Sequence, residues 1–295
     1  MNLIKNVTLI LIVFYAGVTH ASSFMVDTDW LKKHMNDADV VLVDMSSDST
    51  QYQRFHIPGA LYLGYGNLVQ KRKKDKVSLR ISDEKLYKLL GILGISRDSH
   101  IVVYDDMGGL NAGRFYWDLE RIGHPKVSVV DGGLVKWILE GNKVDNKEVT
   151  RKPVSYVGGG KIFNNEIDLA GVKKGRESGQ YTFLDVRSKE EYVGYPKYKR
   201  TGHIPGARFW PWDDNVAFQK GFVLKSGDQI QQSLNKLGVK DKKEPLILYC
   251  RSGHRASQAY LTLKHLGYEN IKLYDGSMAE YMRDKSAPVR QGINP

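Results

Sequence analysis

Two secondary-structure elements meet in residues 246–267, "LILYCRSGHRASQAYLTLKHLG". The four apolar or aromatic residues before Cys250 are typical of a short buried strand. After the loop, apolar side chains recur at i, i+3, i+4 and i+7, which is the spacing of one buried helical face. A strand that leads directly into a helix is typical of a parallel sheet, so the stretch predicts an α/β domain.

The same unit occurs once before, as "IVVYDDMGGLNAGRFYWDLERIG" in residues 101–123. Other segments also repeat at similar offsets: "VLVDMS" (41–46) and "FLDVRS" (183–188), "HIPGA" (56–60 and 203–207), and "VSVVDGG" (127–133) and "IKLYDGS" (271–277). Such a repeat indicates two tandem α/β domains, each a mainly parallel sheet flanked by helices. The predicted boundaries are 24–145 for the first domain, 146–161 for a linker and 162–295 for the second domain.

Residues 1–21 have the pattern of a secretory signal peptide. Lys5 precedes an apolar run from Val7 to Val18, and small residues stand at Thr19 and Ala21, before the predicted cleavage site. A membrane anchor is the alternative, but about 12 apolar residues are fewer than the roughly 20 that a spanning helix needs. We therefore expect an exported protein, periplasmic or secreted, with no stable membrane association after cleavage.

The chain is basic, with a formal net charge of +11. A basic surface suits an anionic small substrate, an acidic protein partner or nucleic acid. The one dense run, "KRKKDK" at 71–76, is most simply a solvated loop, and no nucleic-acid motif accompanies it, so we expect no nucleic-acid binding.

Scattered histidines and one cysteine offer no metal-ligand spacing, and we expect no metal and no cofactor. We expect a monomer.

Cys250 stands where a parallel sheet places its chemistry, at the carboxyl end of a strand. The following loop leads straight into a helix, whose first amide groups lack partners within the helix and favour an anion such as a thiolate. Gly253 allows a tight turn, and Arg251 and Arg255 add positive charge. A buried, inert cysteine is the alternative. The two arginines and His254 in the loop favour a reactive thiol instead.

The duplicated "HIPGA", the cysteine after the strand and the "DGG" and "DGS" that end the repeats resemble the rhodanese family, specifically the two-domain thiosulfate and 3-mercaptopyruvate sulfurtransferases. The resemblance covers nearly the whole chain after residue 21. It implies that Cys250 takes the outer sulfur of thiosulfate or 3-mercaptopyruvate as a persulfide and passes it to a thiol or cyanide. It also implies a catalytically silent first domain, because Asp105 replaces the cysteine there.

The resemblance implies a donor-binding role for Arg187, whose alternative is an ion pair with Glu190 or Glu191. The other residues expected to bind the donor belong to the loop: Arg251, Ser252, Gly253, His254 and Arg255. His203, mirrored by His56, is expected to stabilise the fold. Met278 departs from the family's tryptophan at this position and would remove an aromatic wall.

Two other functions remain open at this point. A sulfane-sulfur carrier that delivers to a partner protein is favoured by the basic surface. A phosphatase of this fold is disfavoured, because its cysteine and arginine are further apart in sequence than Cys250 and Arg255, which are five residues apart.

The loop after Cys250 combines features of thiosulfate enzymes, in Arg251, with features of mercaptopyruvate enzymes, in Ser252. Its two arginines favour thiosulfate, because extra cations stabilise a dianion more than a monocarboxylate.

Overall fold

The structure is a computed structural model that describes residues 24–160 and 162–295. The predicted signal peptide, residues 1–21, lies outside the described residues. Within the described ranges, no helix is both long and apolar enough to cross a membrane.

The first domain contains a five-stranded parallel sheet with the strand order β1-β7-β6-β2-β3. A separate antiparallel hairpin is formed by β4 and β5. The strands are β1 (Met25–Val26), β2 (Val40–Asp44), β3 (Leu61–Tyr62), β4 (Val69–Lys71), β5 (Ser78–Arg80), β6 (His100–Tyr104) and β7 (Val127–Val130). The helices are α1 (Thr28–His34), α2 (Ser49–Arg54), α3 (Asp83–Ile92), α4 (Leu110–Arg121) and α5 (Gly133–Leu139).

The second domain repeats this plan with a four-stranded parallel sheet in the order β13-β12-β8-β9 and an antiparallel hairpin of β10 and β11. The strands are β8 (Thr182–Asp185), β9 (Arg208–Phe209), β10 (Val216–Ala217), β11 (Val223–Leu224), β12 (Leu246–Tyr249) and β13 (Ile271–Leu273). The helices are α6 (Leu169–Ser178), α7 (Lys189–Val193), α8 (Gly227–Lys236), α9 (His254–His265) and α10 (Ser277–Tyr281). The predicted α/β fold with two parallel sheets is confirmed.

Side-chain alternation along β12 decides which face Cys250 occupies. Leu246 and Leu248 belong to a core cluster that contains residues of both domains, whereas Ile247 and Tyr249 belong to a core restricted to the second domain. Because successive side chains point to opposite faces of a sheet, Cys250 follows Leu248 onto the face that is turned towards the first domain.

Helices α4 and α9 join the two domains. The apolar faces predicted from their spacing are buried, with Phe115 fully buried on α4 and Ala259 fully buried on α9. The backbones approach closely at Gly113, where an added Cβ would lie 2.9 Å from the Ser257 carbonyl oxygen. A glycine is needed at this crossing because a side chain has no space there. The hydrophobic cores of the two domains are therefore continuous.

Each domain also binds the hairpin of the other. The Asp275 carboxylate of the second domain accepts the Arg80 amide at 2.5 Å, and the Asp131 carboxylate of the first domain accepts the Leu224 amide at 2.8 Å. These aspartates belong to the repeated "DGG" and "DGS" segments. The exchange places the β4–β5 hairpin beside the loop that contains Cys250.

His203 has the structural role predicted for it. Its ring is buried and stacked on Tyr192 with centroids 3.9 Å apart, and Nδ1 lies 2.8 Å from the Tyr192 carbonyl oxygen. His56 makes the same two contacts with Tyr52, at 3.9 and 2.7 Å.

Candidate functional site

Cys250 lies at the carboxyl end of β12 and is 1% exposed. The loop of residues 251–253 turns the chain into α9, which begins at His254. Gly253 has a φ of +80°, a left-handed conformation that glycine adopts without strain. The first turn of α9 has no side-chain cap, so its amide groups are free to bind an anion.

Ser277 fixes the base of this loop. Its hydroxyl accepts the amides of Cys250 at 3.1 Å and Gly253 at 3.2 Å and donates to the Tyr274 carbonyl oxygen at 2.7 Å. Ser277 holds an unusual φ of +47° for a residue with a side chain. The sequence interpretation missed this residue. The signal that could have found it is the difference between Ser277 and its counterpart in the repeat, Gly133.

In the first domain, the corresponding loop after Asp105 binds a carboxylate with a ring of backbone amides. The Asp105 carboxylate accepts the backbone amides of Met107, Gly109, Asn111 and Ala112 at 2.8–3.0 Å. Burial raises the pKa of Asp105, whereas these amides favour its ionised form. The repeat aligns Asp105 with Cys250 and the four amides with those of residues 252, 253, 255 and 256. The loop after Cys250 is one residue shorter, and its Gly253 amide donates to Ser277, so the amides of residues 255 and 256 are the counterparts left to bind an anion there.

The arginines predicted to bind the donor lie in three different environments. Arg255 makes two hydrogen bonds to Glu191, at 2.6 and 3.1 Å. Arg187 is 5% exposed and donates to Asp185 from Nε at 2.9 Å and from Nη2 at 2.6 Å. Arg251 is exposed at the surface. The ion pair with Glu191, one of the two partners in the alternative to donor binding, is a weaker, 4.0 Å contact, so Asp185 is the main partner of Arg187.

Of these arginines, Arg255 interacts electrostatically with Cys250. Burial lowers the pKa of Arg255, but its hydrogen bond with Glu191 and the charge of Cys250 outweigh that effect and raise it overall. Arg187 instead lies 6.0 Å from the ring of Tyr249, a residue on the opposite face of the sheet from Cys250. Glu191 links Arg187 to Arg255. The donor-binding roles of these residues stay predictions.

His254 points into the domain interface. Its Nε2 lies 2.7 Å from Oδ1 of Asn111, whose Nδ2 donates to the Met45 carbonyl oxygen at 2.8 Å. Asn111 therefore accepts from His254, so the proton of the neutral imidazole is on Nε2. Burial, together with the charges of Arg114 and Arg255, lowers the pKa of His254 to about 4. His254 is thus a neutral residue held by the first domain.

Tyr65 is a second residue that the sequence interpretation missed. It begins a short 3₁₀ turn, Tyr65–Leu68, before β4, and its ring centroid lies 4.2 Å from that of His254. Burial is the main effect that raises the pKa of Tyr65 to about 12, and the charge of Cys250 contributes. No hydrogen bond of its hydroxyl is present among the described residues. The first domain therefore brings a neutral phenol to the vicinity of Cys250.

A buried ion network lies beneath the loop and crosses the domain boundary. Arg114 of α4, fully buried, donates to Asp275 at 2.7 Å and to Asp118 at 3.1 Å. Asp275 lies so close to Gly253 that an added Cβ there would be 2.3 Å from its Oδ1. The carboxylate that anchors the hairpin thus also lies against the loop that contains Cys250.

One other expectation concerns Met278, which follows Ser277 beside the loop. Met278 was expected to leave the pocket without an aromatic wall, but it is 4% exposed and packs in the core of the second domain. Its amide donates to the Cys250 carbonyl oxygen at 3.1 Å, so it helps to fix the loop.

In residues 24–160 and 162–295 no group of three or more histidine, cysteine, aspartate or glutamate side chains could hold a metal ion.

Comparisons with known proteins agree with this geometry. The model of the rhodanese-like domain matches residues 27–140 and 168–284. A protein of Mycobacterium leprae named "Putative thiosulfate sulfurtransferase" is 31% identical over 287 residues, covering 92% of this chain and 99% of that protein. The "Sulfur carrier protein TtuD" of Thermus thermophilus is 32% identical over 284 residues, covering 91% and 96%.

Solved structures show the same fold. The anaerobic ergothioneine biosynthesis enzyme from Chlorobium limicola superposes with a TM-score of 0.80 at 22% identity, covering 92% of this chain and 70% of that one. YnjE superposes with a TM-score of 0.76 at 23% identity, covering 91% and 68%. With both halves matched and relatives that align over nearly their whole length, the chain belongs to the rhodanese family and contains two rhodanese-like domains.

Proposed function

We propose that this protein is a sulfurtransferase whose sulfur carrier is Cys250. The observation that supports this most directly is the loop of residues 251–256, whose counterpart in the first domain encloses the Asp105 carboxylate. A ring of amides that binds an anion in one domain is suited to bind a thiolate or a persulfide in the other.

The proposed reaction has two half-reactions. The Cys250 thiolate attacks the outer sulfur of thiosulfate, the sulfur–sulfur bond of the donor breaks, and sulfite leaves with the bonding electron pair. A thiolate or cyanide then attacks the outer sulfur of the persulfide and releases the Cys250 thiolate. The amides at the start of α9 stabilise the negative sulfur in both resting states, and Arg255 adds a cation on the same side.

Thiosulfate is the proposed donor, with 3-mercaptopyruvate as the alternative. The relative from Mycobacterium leprae is named for thiosulfate. Arg251 is exposed and free to move towards a dianion, whereas Arg255 is partly neutralised by Glu191. Two cations at one site stabilise a dianion more than a monoanion.

A second candidate is a carrier that turns over slowly with small acceptors and delivers sulfur to a protein. The relative named as a sulfur carrier and the near-complete burial of Cys250 favour it. Both candidates share the persulfide and differ in the acceptor.

Steady-state kinetics with cyanide as acceptor separate these candidates. We expect thiosulfate to give a higher kcat/KM than 3-mercaptopyruvate, with activity lost in Cys250→Ser. A carrier would load one sulfur rapidly but turn over slowly with cyanide. Higher kcat/KM for 3-mercaptopyruvate would reassign the donor, and hydrolysis of an aryl phosphate that depends on Cys250 would replace the proposal with a phosphatase.

We also propose that the protein is exported after cleavage following Ala21. Amino-terminal sequencing of the protein recovered from the periplasm or medium of its host tests this. A mature chain that starts at Ser22 is expected, and a chain that retains Met1 in the cytoplasm would contradict it.

A further inference from the structure

The β4–β5 hairpin carries a basic tip that its counterpart lacks. The first hairpin runs from Val69 to Arg80 and the second from Val216 to Leu224, so the first is three residues longer. The extra length falls in the run "KRKKDK", interpreted above as a solvated loop. We name the exposed lysines of this run the basic hairpin tip: Lys71, Lys73, Lys74 and Lys76.

The structure holds this tip against the second domain. Arg72 pairs with Asp75 within the turn and with Glu280 of α10 at 2.6 Å. Glu280 lies about one helical turn, roughly 5 Å along the axis, from Ser277, which binds the Cys250 amide. At the base of the hairpin, the Arg80 amide is bound by Asp275. The tip is therefore fixed on the side of the molecule where the Cys250 loop lies.

The positive charge of the tip exceeds the local negative charge, because only two carboxylates of the described residues, Asp75 and Glu280, lie beside one arginine and four lysines. Arg72 is neutralised by its two carboxylate partners, but no ion pair within the described residues engages the four lysines of the tip. Arg251 is likewise exposed and has no ion pair among those residues. The Arg251 carbonyl oxygen accepts the Ala279 amide at 2.8 Å, next to Glu280, so Arg251 and the lysines lie on one side of the molecule as a positively charged rim.

We propose that the basic hairpin tip is a docking surface for an acidic protein that accepts sulfur from Cys250. This inference rests on the proposed persulfide of Cys250. A protein fits better than the small donor, because four lysines spread along a hairpin extend beyond the reach of one small dianion. Complementary charge on a rigid surface accelerates the encounter of two proteins and sets their orientation.

Binding of an acidic peptide tests the surface without any sulfur chemistry. The probe is a short fluorescent peptide with one cysteine among glutamates and aspartates, compared with a peptide that has glutamine and asparagine instead. Anisotropy is measured on the full chain carrying Cys250→Ser, at about 0.02 M and about 0.15 M salt. We expect the acidic peptide to bind more tightly than the neutral one, and the difference to shrink with salt.

Two matched triple variants separate docking from net charge. K73E/K74E/K76E reverses the tip, whereas K240E/K242E/K243E reverses three exposed lysines in the loop before β12, at the opposite edge of the sheet. We expect the first to weaken binding of the acidic peptide on the order of tenfold and the second by less than about threefold. Equal effects of the two variants would show that only net charge acts, and would overturn the proposal.

Loading and discharge of the persulfide complete the test in the chain with Cys250 intact. Loading from thiosulfate and discharge by cyanide should be equal in the tip variant and the parent, while discharge by the acidic peptide slows on the order of tenfold. Slower loading in the tip variant would assign the tip to the donor. Tighter binding to phosphatidylserine vesicles than to the peptide would assign it to membranes. If no persulfide forms, the proposed function fails, while the binding measurement still decides whether the surface exists.

Discussion

Cys250 and Asp105 occupy equivalent positions in two copies of one strand, loop and helix, and their side chains determine what each loop does. The carboxylate fills its own ring of amides in the first domain, and that ring is then closed to other anions. In the second domain no carboxylate of the described residues fills the corresponding loop. The amides at the start of α9 therefore remain available to a sulfur anion or a donor.

We expect the Tyr65 hydroxyl to donate a hydrogen bond to the bound thiosulfate, and one hydrogen bond to a charged group is worth about 1.4 kcal/mol or more. Tyr65→Phe should therefore lower kcat/KM for thiosulfate about tenfold. The free energy of unfolding should change by less than about 0.5 kcal/mol, because the hydroxyl has no partner within the described residues. Tyr62→Phe, which alters a phenol near Asp48 and Asp106 instead, is the control and should leave kcat/KM unchanged. An effect of less than twofold in Tyr65→Phe would remove this residue from the site.

His254 should stay neutral from pH 8 down to about 5. Its pKa is lowered to about 4 in the folded protein, against a usual value of 6.5. The unfolded chain therefore binds a proton first as the pH falls, so this residue contributes stability above pH 6.5 that is lost progressively towards pH 4. Nitrogen NMR of labelled histidine reads the titration directly. A midpoint near 6.5 for His254 would contradict the burial and the contact with Asn111.

At the scale of elements, the two loops also predict how the first domain responds to the loss of its carboxylate. Asp105→Ala leaves four amides without an acceptor and should lower the free energy of unfolding by about 3–5 kcal/mol. Sulfate should bind the emptied ring and raise the melting temperature of this variant more than that of the parent. Asp106→Ala, in the same loop, removes the acceptor of the Ser47 amide and hydroxyl and should cost about 1 kcal/mol with no added response to sulfate. Equal responses to sulfate would contradict an anion-binding loop.

The elements themselves could be predicted because their signals are local. The spacing of Ala256, Ala259, Tyr260 and Leu263 predicted the buried face of α9, and all four residues are buried. The repeat then indicated which loop is distinct and placed Cys250 at the end of a strand.

The contacts around Cys250 could not be predicted in the same way. His254 meets Asn111 across 143 residues of sequence, and Arg80 meets Asp275 across 195. These pairs depend on how the domains pack, which no local periodicity encodes. Tyr65 and the position of the basic hairpin tip were missed for this reason. Arg187 was interpreted from the family motif, and its pairing with Asp185, two residues earlier in the chain, was not predicted.

At the scale of the whole molecule, the two domains share one core and a buried ion network. The network is fully enclosed, with Arg114 at 0% and Asp118 and Asp275 at 2% exposure. Removing one partner of such a network leaves buried charges uncompensated, which costs more than the loss of an exposed ion pair. The first domain is therefore expected to stabilise the loop that contains Cys250.

Arg114→Met should lower the free energy of unfolding by about 3–5 kcal/mol at pH 7. Burial already raises the pKa of Asp118 to about 6 although Arg114 opposes this effect. Without Arg114 this pKa rises further, and protonation of the folded state should shrink the deficit as the pH falls from 7 to 5. Arg121→Met, on the solvent side of α4, should cost about 1 kcal/mol or less. Denaturant unfolding at both pH values checks these expectations, and a deficit that grows at pH 5 would contradict them.

The most direct test of the central claim is the intact mass of the reduced protein after incubation with thiosulfate and removal of the excess. We predict the addition of one sulfur atom, located on the peptide that contains Cys250, absent in Cys250→Ser and removed by cyanide with release of thiocyanate. An unmodified Cys250 after incubation with both thiosulfate and 3-mercaptopyruvate, in a protein whose thiol is shown to be reduced and whose fold is intact, would contradict the account.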